Sequence, residues 1–486
     1  MSARRVRFAL VAILAAGVAL RLLFMLAWRP AFMGWPDAAS YIDVAHSDLF
    51  SNNLRPAGYP LFLRAVHLIA PSLTLVIVVQ HLLGLGTAVL LYLAVGRTGV
   101  PRAIGLVPAA IIALGADNVF LEHAAISEAL FMFLIAAALY AGVRTHEGDH
   151  LAWPAACGLL LVGAASVRVV ALPLLPLFAL WLIFSSRAPV RRRLALTASG
   201  ALAAVALLGA YFAAEQHQVG RTGLSRNGIW NLYGRVAPFA DCKKFDPPPG
   251  TDVLCEATPR SRRPLTYQYT FNWYLSPAVR YFQNPHVASA DQTNAVRDFA
   301  LSVIWGQPLD YADEVGAGLL RYIVPDSFEG YGGGPSYDDL VHGKILFNRS
   351  FQKEGLRVAR QLYDDAGSFS VKRGLLGALR GYESVTRIQG AVFVVLALLS
   401  LAAPLAARGR VRGPALLFTL TALTLMVAPV ATVEFSARTA VPGMGSLAAA
   451  AGVGGWCLFS LVRDRRRSRS SAGRGHGHAR AAASGV

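Results

Sequence analysis

Acidic side chains are the groups in this sequence that could do chemistry, and they are unevenly placed. Outside a long central segment, residues 214–388, the chain has ten Asp or Glu residues. Seven of these stand at one end of apolar stretches or in the polar segment 29–72, namely Asp37, Asp43, Asp48, Asp117, Glu122, Glu128 and Glu434. Carboxylates collected at one boundary between water and lipid indicate a reaction or binding site there. For Asp43, Asp48 and Asp117, solvated loop acids are the alternative interpretation.

Asp37 and Glu128 have surroundings that set them apart from the other acids. Pro36 followed by Asp37 is typical of the first turn of a helix, so we expect Asp37 near the membrane surface with Tyr41 one turn further on. This helix is predicted to lie on the membrane. Glu128 stands in the motif HAAISEALF at the outer edge of an apolar stretch, where an acid is costly unless it is paired.

The elements that must position these acids are long apolar helices. Hydrophobic residues make up 55% of the 486 positions and charged residues 15%, and the charges cluster between apolar runs of about eighteen residues or more. In lipid each run must satisfy its own backbone hydrogen bonds, which favours helices over strands. This composition excludes a soluble globular domain. We predict ten spans, at about 8–28, 73–96, 103–121, 127–143, 151–167, 169–186, 194–213, 389–407, 413–431 and 440–462.

Arginine placement predicts how these spans are oriented. Short cytoplasmic loops of membrane proteins carry an excess of Lys and Arg. The two ends of this sequence and every second loop carry 20 Arg against three acids, which is +17 of the formal net charge of +18. We therefore expect both termini in the cytoplasm. A removable signal peptide is the alternative for the first span, but its apolar run continues to Trp28 without a clear small-residue cleavage site.

Segment 214–388 is predicted to be a folded extracytoplasmic domain. It contains 20 Lys or Arg and 18 Asp or Glu, so it is nearly neutral, and it is rich in Tyr, Trp, Pro and Gly. Cys242 and Cys255 fall within it, close enough to form a disulfide in an oxidising compartment. Cys157 and Cys457 fall in spans, where we expect ordinary small apolar residues.

These boundaries predict an all-α polytopic membrane protein of about ten helices with a mixed extracytoplasmic domain. Residues 1–213 would form an N-terminal transmembrane catalytic module of seven spans, with the first outer loop at 29–72. Residues 389–462 would supply three C-terminal spans. Residues 463–486 are predicted to be a basic, disordered cytoplasmic tail.

Three short motifs resemble those of the GT-C fold glycosyltransferases. They are D-x-x-x-Y at residues 37–41, R-P-x-G-Y-P-L-F-L at 55–63 and S-E-x-L-F at 127–131. Within that class, the chain is most similar to the protein O-mannosyltransferase and aminoarabinose transferase group. The resemblance covers about the first 220 residues by motif and the later spans by topology. The chain departs from the mannosyltransferases at Asp37-Ala38, where they usually carry two adjacent acids.

The resemblance implies an inverting transfer of one sugar, of the mannose or arabinofuranose type, from a polyprenyl phosphate carrier to an extracytoplasmic glycan, lipid or protein. The carboxylate that matches the family's motif is Asp37, which would act as general base when the acceptor hydroxyl attacks the anomeric carbon. The departing phosphate gains negative charge and needs nearby cations. We assign Arg55, Arg168 and Arg438 to this role, with snorkelling to lipid headgroups as the alternative.

Other polar residues at this face are candidates for binding the acceptor or the donor. Tyr41 and Tyr59 could stack on a sugar or position Asp37, although aromatic residues are common at any membrane interface. The remaining candidates are Glu122, His123, Glu128 and Glu434. Glu122 and His123 could also join Asp37 around a divalent metal, but one histidine beside one acid is a weak metal signal. We assign no metal or other cofactor, and we expect no nucleic-acid partner.

Two other functions are compatible with this topology. A transporter or flippase of lipid-linked sugars also carries charges at the outer face, but such proteins usually have paired repeats and broken helices at mid-membrane depth, and neither is evident in this sequence. A ligase that moves a whole glycan from its lipid carrier is the third interpretation. The Ala, Arg and Gly rich composition indicates a high-GC bacterium, so we expect the inner membrane, with the active site outside the cytoplasm.

Overall fold

The computed structural model of the chain describes residues 2–482 apart from positions 34, 149, 187, 264–275, 284, 286, 325–349 and 368. Helices form nearly all of its regular structure. Within these residues, the one sheet is a short antiparallel pair of β1, Trp28–Arg29, and β2, Ser370–Val371. This pair ties the end of the first helix to a segment that lies more than three hundred residues later in the sequence.

The described helices up to residue 219 build the first part of a bundle. They are α1 Ala3–Ala27, α2 Pro36–His46, α3 Gly58–His67, α4 Leu73–Gly96, α5 Leu106–Leu114, α6 Ala116–Glu122, α7 Glu128–Glu147, α8 Ala152–Val167, α9 Leu174–Ser185 and α10 Val190–Val219. Short 3-10 turns at Arg102–Gly105 and Val169–Ala171 precede α5 and α9. α4 begins where the Ser72 hydroxyl accepts a hydrogen bond from the amide of Leu75, at 3.1 Å, and so caps the helix.

The helices described after residue 219 belong to the outer segment and to the later spans. They are α11 Asn227–Val236, α12 Pro277–Phe282, α13 Ala290–Gly306, α14 Pro308–Leu320, α15 Ser350–Leu362, α16 Arg373–Thr386, α17 Gly390–Ala406, α18 Arg412–Thr432, α19 Ala437–Ala440 and α20 Met444–Ala482. α20 continues through residues 463–482, for which the sequence predicted a disordered tail. A helix that has formed in a span extends at little cost, because the costly nucleation step is already complete.

Six helical stretches in the described part of the chain are long and apolar enough to cross a membrane: Ala3–Ala27, Leu73–Gly96, Glu128–Glu147, Val190–Val219, Gly409–Thr432 and Arg438–Arg467. Two bent pairs raise the number to eight if each is one span. These are Arg102–Leu114 with Ala116–Glu122, bent by 52°, and Arg373–Thr386 with Gly390–Ala406, bent by 43°. Bent helices were not expected from the sequence. The other two predicted spans fall on the shorter apolar helices Ala152–Val167 and Val169–Ser185. The chain is a multi-pass membrane protein, and ten crossings remain a prediction.

Glycines allow neighbouring helices to pack closely within the bundle. A Cβ atom added to Gly158 of α8 would lie 2.2 Å from the carbonyl oxygen of Gly200 in α10. One added to Gly454 of α20 would lie 2.0 Å from the carbonyl oxygen of Leu399 in α17. Small residues at helix contacts are typical of membrane bundles, in which close packing replaces the hydrophobic effect as the attraction between helices.

The outer segment 214–388 divides between two hydrophobic clusters. Trp230, Tyr233 and Phe299 belong to a separate cluster within residues 227–311, which we call the outer subdomain. α15 instead contributes Leu356 to the core of the bundle and packs on α2. α2 is therefore buried beneath α15 and does not lie free on the membrane as the sequence predicted.

The carboxylate of Asp365 attaches the outer segment to the start of α4. Asp365 accepts hydrogen bonds from the Ser72 hydroxyl at 2.9 Å and from the amides of Leu73 and Thr74 at 2.7 and 2.9 Å. These groups stand at the amino end of α4, where the helix dipole favours a negative charge. Burial raises the pKa of Asp365, but the hydrogen bonds from these partners lower it by more, so the net pKa lies below its ordinary value.

Cys242 and Cys255 form the predicted disulfide, with their Cα atoms 6.0 Å apart. Both half-cystines pack against the cluster of the outer subdomain. Cys157 and Cys457 are free and buried, as expected for small apolar residues in spans.

Replacing both half-cystines, as Cys242→Ser with Cys255→Ser, should destabilise the outer subdomain by about 2–4 kcal/mol, because the disulfide restricts the unfolded chain. Hydrogen exchange of the purified membrane protein measures the effect region by region. Amides of α11 and α13 should exchange faster, and those of α4 should be unchanged. Equal protection of α11 and α13 with and without the disulfide would contradict this expectation.

Cysteine labelling tests the predicted orientation of the bundle. Single cysteines at Asp48 and Val253, both exposed, should react with an impermeant maleimide added outside intact cells, because the arginine distribution predicts that they lie outside the cytoplasm. Cysteines at the exposed positions Val190 and Arg410 should react only after the cells are opened. Labelling of position 190 from outside would show that the orientation is opposite to the predicted one.

Candidate functional site

Asp37 is held at the start of α2 between two arginines. α2 begins at Pro36, so Asp37 lies in the first turn, as the sequence predicted. Arg55 contacts the Oδ1 atom of its carboxylate, and Nη1 of Arg438 lies 2.7 Å from the Oδ2 atom. Asp37 is buried despite its charge. Two guanidinium groups therefore compensate this carboxylate.

Glu128 links Arg438 to a third arginine, Arg168. It is the first residue of α7 and is fully buried. Its Oε1 atom accepts hydrogen bonds from Nη1 of Arg168, which follows α8, and from Nε of Arg438 in α19. Positive and negative side chains thus alternate through the site. We call Arg55, Asp37, Arg438, Glu128 and Arg168 the arginine–carboxylate cluster.

The cluster carries one positive charge in excess, since three arginines meet two carboxylates. Arginine keeps its charge in proteins, and moving a charge out of water costs several kcal/mol unless partners compensate it. A bound anion would balance the excess charge. Guanidinium groups match phosphate oxygens in geometry as well as charge, so the cluster is suited to a phosphate ester.

The arginines keep Asp37 ionised. Burial raises the pKa of this carboxyl group, but Arg55, Arg438 and Arg168 together lower it by more, and the net pKa lies well below its ordinary value. Because the shift is downward, Asp37 remains a carboxylate at neutral pH. It is therefore in the form that can accept a proton from a bound hydroxyl group.

Among the described residues, one carboxylate oxygen of Glu128 is left unpaired. Its Oε2 atom is buried and has no hydrogen-bond partner in the part of the chain that the structure describes. Buried polar atoms nearly always have a partner, and an exception calls for an explanation such as a water or ligand. The other oxygen of the same carboxylate is shared by two arginines, so the side chain is fixed in place while Oε2 stays available.

Aromatic rings surround the cluster. The guanidinium group of Arg55 lies 5.9 Å from the ring centroid of Tyr41, and that of Arg438 lies 6.0 Å from the ring of Trp35. Tyr41 meets Tyr59 edge to face, with 4.9 Å between the ring centroids. The sequence indicates both tyrosines as site residues but not Trp35, because a tryptophan at a membrane interface is common and does not by itself indicate a site.

Gln80 fixes the orientation of Tyr59. The hydroxyl of Tyr59 donates to Oε1 of Gln80 at 2.7 Å. The amide of Gln80 in turn donates to the carbonyl oxygens of Glu122 and Ala124, at 2.8 and 2.7 Å. Gln80 is not among the residues predicted from the sequence. Its amide within the apolar run 73–96 is nevertheless a usable signal, since polar groups inside a membrane bundle need partners.

Glu122 and His123 lie in a second network, separate from the cluster. Nε and Nη2 of Arg21 each lie 2.8 Å from an oxygen of Glu122, and Nδ1 of His81 lies 3.0 Å from the same carboxylate. His81 and His123 are hydrogen-bonded at 3.1 Å, and the other ring nitrogen of His123 lies 3.1 Å from the carbonyl oxygen of Trp28. We call this the Arg21–Glu122 network. It joins α1, α4 and α6 and leaves neither residue free to bind substrate.

The geometry of the described residues supports neither a metal site nor a role for Glu434 in binding the acceptor or the donor. Among the residues that the structure describes, no three His, Cys, Asp or Glu side chains are grouped so that they could hold a metal ion. Glu434 is half-buried beside Arg321 and Arg235. Burial raises the pKa of Glu434 by more than these two arginines lower it. It is therefore part of a different set of charges, although it stands only four residues before Arg438.

The comparisons with known proteins give structural matches only. No protein-family model matches the sequence, and no curated protein matches it. The apo crystal structure of the Archaeoglobus fulgidus oligosaccharyltransferase is similar, with 12% identity and a TM-score of 0.46 over 96% of this chain and 52% of that chain. The same archaeal enzyme, AglB, in complex with an inhibitory peptide and a dolichol-phosphate, gives 11% identity and a TM-score of 0.44, again over 96% of this chain and 52% of that chain.

ArnT from Cupriavidus metallidurans, bound to undecaprenyl phosphate, is similar with 13% identity and a TM-score of 0.36, over 86% of this chain and 89% of that chain. This chain spans about half the length of the archaeal oligosaccharyltransferase.

Glu122→Gln should lower the thermal midpoint of the protein, because Arg21 would keep its charge inside the bundle without a carboxylate beside it. Removing one partner of a buried pair typically costs about 3–5 kcal/mol. Thermal unfolding of the protein in lipid nanodiscs measures the change, with Asp48→Asn at an exposed acid as the matched control. An unchanged midpoint would show that Glu122 is not structural.

Proposed function

We propose that this protein is an inverting glycosyltransferase that moves one sugar from a polyprenyl phosphate carrier to an acceptor outside the cytoplasm. The observation that carries the proposal is the arginine–carboxylate cluster, a buried site with an excess of positive charge. Its acids and arginines stand at or near the ends of helices, on the face that the charge distribution predicts to be outside. The motif resemblance supports the same reaction.

The three arginines would bind the phosphate of the donor. A phosphodiester carries one negative charge, which matches the excess charge of the cluster. When the bond between the anomeric carbon and the phosphate oxygen breaks, the phosphate becomes a monoester and gains a second negative charge. Cations fixed in a water-poor site stabilise this developing charge without having to reorganise.

Asp37 would be the general base. Arg55 and Arg438 each contact one of its oxygen atoms. A donor phosphate competes for these two guanidinium groups and leaves the carboxylate freer to accept a proton. The acceptor oxygen attacks the anomeric carbon as its proton passes to Asp37, and polyprenyl phosphate leaves on the opposite side. One displacement of this kind inverts the anomeric centre.

Glu128 would orient the acceptor. Its unpaired Oε2 atom can accept a hydrogen bond from a sugar or protein hydroxyl, while Arg168 and Arg438 hold its other oxygen. Tyr41 stands one turn after Asp37 in α2, and its hydroxyl lies 3.4 Å from Oγ of Ser127, the residue before Glu128. Glu128 and Tyr41 would thus define the position of the acceptor hydroxyl relative to Asp37.

We further propose a donor of the mannose or arabinofuranose type, a glycan, lipid or protein acceptor, and a location in the bacterial inner membrane. The decisive assay offers the purified protein a synthetic polyprenyl phosphate sugar with a radiolabelled sugar and a membrane extract as acceptor. Transfer of one labelled sugar supports the proposal. A flippase would move the donor across a vesicle membrane without consuming it, and a ligase would transfer only a preassembled glycan.

Asp37→Asn should lower turnover by at least about 100-fold, the usual contribution of a positioned proton acceptor. Donor binding should persist, because the substitution removes a negative charge and leaves all three arginines. Kinetics of single-sugar transfer separate kcat from KM, and Asp48→Asn is the control. A well-folded Asp37→Asn protein with near-normal turnover would remove the base assignment.

Glu128→Gln should reduce transfer by less than Asp37→Asn, since glutamine keeps an oxygen acceptor and the shape of the side chain. We expect the KM for the acceptor to rise more than kcat falls. The comparison uses both variants with the same donor and acceptor. If Glu128→Gln abolished turnover while Asp37→Asn retained it, the roles of the two carboxylates would be reversed.

A further inference from the structure

α14, which belongs to the segment predicted to be extracytoplasmic, runs down the side of a membrane-spanning helix. The hydroxyl of Tyr311 donates to the carbonyl oxygen of Ala431 at 2.9 Å. The hydroxyl of Tyr322, just after α14, donates to the carbonyl oxygen of Met426 at 3.0 Å. Both acceptors lie on α18, and five residues of helix rise by about 7–8 Å. α14 therefore descends along α18 from its outer end towards the bilayer interior.

Two further contacts fix α14 at this depth. Gly318 lies so close to α18 that an added Cβ atom would be 2.6 Å from Cγ1 of Val430. The ring of Tyr322 stacks on Phe393 near the start of α17, with 5.1 Å between centroids and 9° between the ring planes. The end of α14 is thus packed against the outer turns of two apolar helices.

The outward face of this region is apolar and exposed. Leu309 is 83% exposed and Leu320 is 61% exposed, and Ile323 is also exposed. Trp305, at the corner between α13 and α14, is 81% exposed. A helix in water would not present such residues together, because their burial is favourable.

The exposed apolar residues of α14 continue the lipid-facing surface of its neighbours. Val392, beside Phe393, and Val427, beside Met426, are exposed on α17 and α18. Ion pairs hold two charges of α14: Asp310 contacts the half-exposed Lys244 and Arg260, and Glu314 contacts the buried Arg235. Arg321 lies over the ring of Phe435, and Asp313 is exposed in the second turn of the helix, one turn after Leu309.

We propose that α14 is embedded in the outer leaflet of the membrane, with Leu320 and Ile323 among the lipid chains and Trp305 and Leu309 at the headgroup boundary. The occupant of this surface is lipid. A helix satisfies its own backbone hydrogen bonds and can lie at this depth, and tryptophan prefers the interface. The outer subdomain is then anchored directly to the bilayer through α14 as well as through the flanking spans.

Spin labels test this placement in lipid nanodiscs. Single cysteines replace Leu320, Leu398 of α17 as a reference exposed on an apolar span, or Val253 in the disulfide loop as a reference expected in water, with Cys157 and Cys457 changed to alanine. We expect the label at 320 to collide with oxygen more than with a water-soluble nickel chelate, as at 398, and the label at 253 to show the opposite order.

A label at 320 that prefers the nickel chelate would overturn the proposal, and one shielded from both reagents would show that protein covers the surface. A variant that avoids labels at this helix is Trp305→Phe. The fraction of tryptophan fluorescence quenched by lipids brominated near the headgroup should fall in this variant. Equal quenching in both proteins would place Trp305 away from the lipid and contradict the proposal.

Discussion

Charges that are drawn into a membrane bundle must be paired, and this constraint organises the molecule. Water is absent from the interior, so each buried arginine or carboxylate needs a partner within hydrogen-bond distance. The chain meets this need by bringing together side chains that lie far apart in sequence. Glu122 meets Arg21 across 101 residues, and Glu128 meets Arg438 across 310 residues. The helices that carry these charges are held in register by the pairs as well as by apolar packing.

The two buried networks differ in how completely they are paired, and this difference separates structure from function. In the Arg21–Glu122 network both carboxylate oxygens are bound, and both ring nitrogens of His123 have partners. No group remains for a ligand. In the arginine–carboxylate cluster one positive charge exceeds the negative charges, and Oε2 of Glu128 has no partner among the described residues. A site that is incomplete in both charge and hydrogen bonding is suited to bind an anion together with a hydroxyl group.

Several contacts along the chain join the outer segment to the bundle. Asp365 caps the amino end of α4, β2 pairs with β1 after α1, and α14 packs along α18. Much of the segment that the sequence assigned to a separate domain therefore contributes to the bundle. In the described part of this segment, only the outer subdomain has a hydrophobic cluster of its own. Because small domains bury little surface, we expect the disulfide between Cys242 and Cys255 to be a large share of its stability.

The sequence by itself determined the properties that depend on local composition and spacing. Apolar runs located the helices, arginine counts predicted their orientation, and Pro36 before Asp37 located the start of α2. The disulfide followed from two cysteines thirteen residues apart. Only the tertiary structure decided which acid meets which arginine. That depends on how each helix is rotated about its axis, and rotation is set by packing against helices hundreds of residues away. Glu122 and Glu128 are only six residues apart, yet packing commits Glu122 to a fully paired structural network and Glu128 to a cluster in which one of its oxygen atoms has no partner among the described residues.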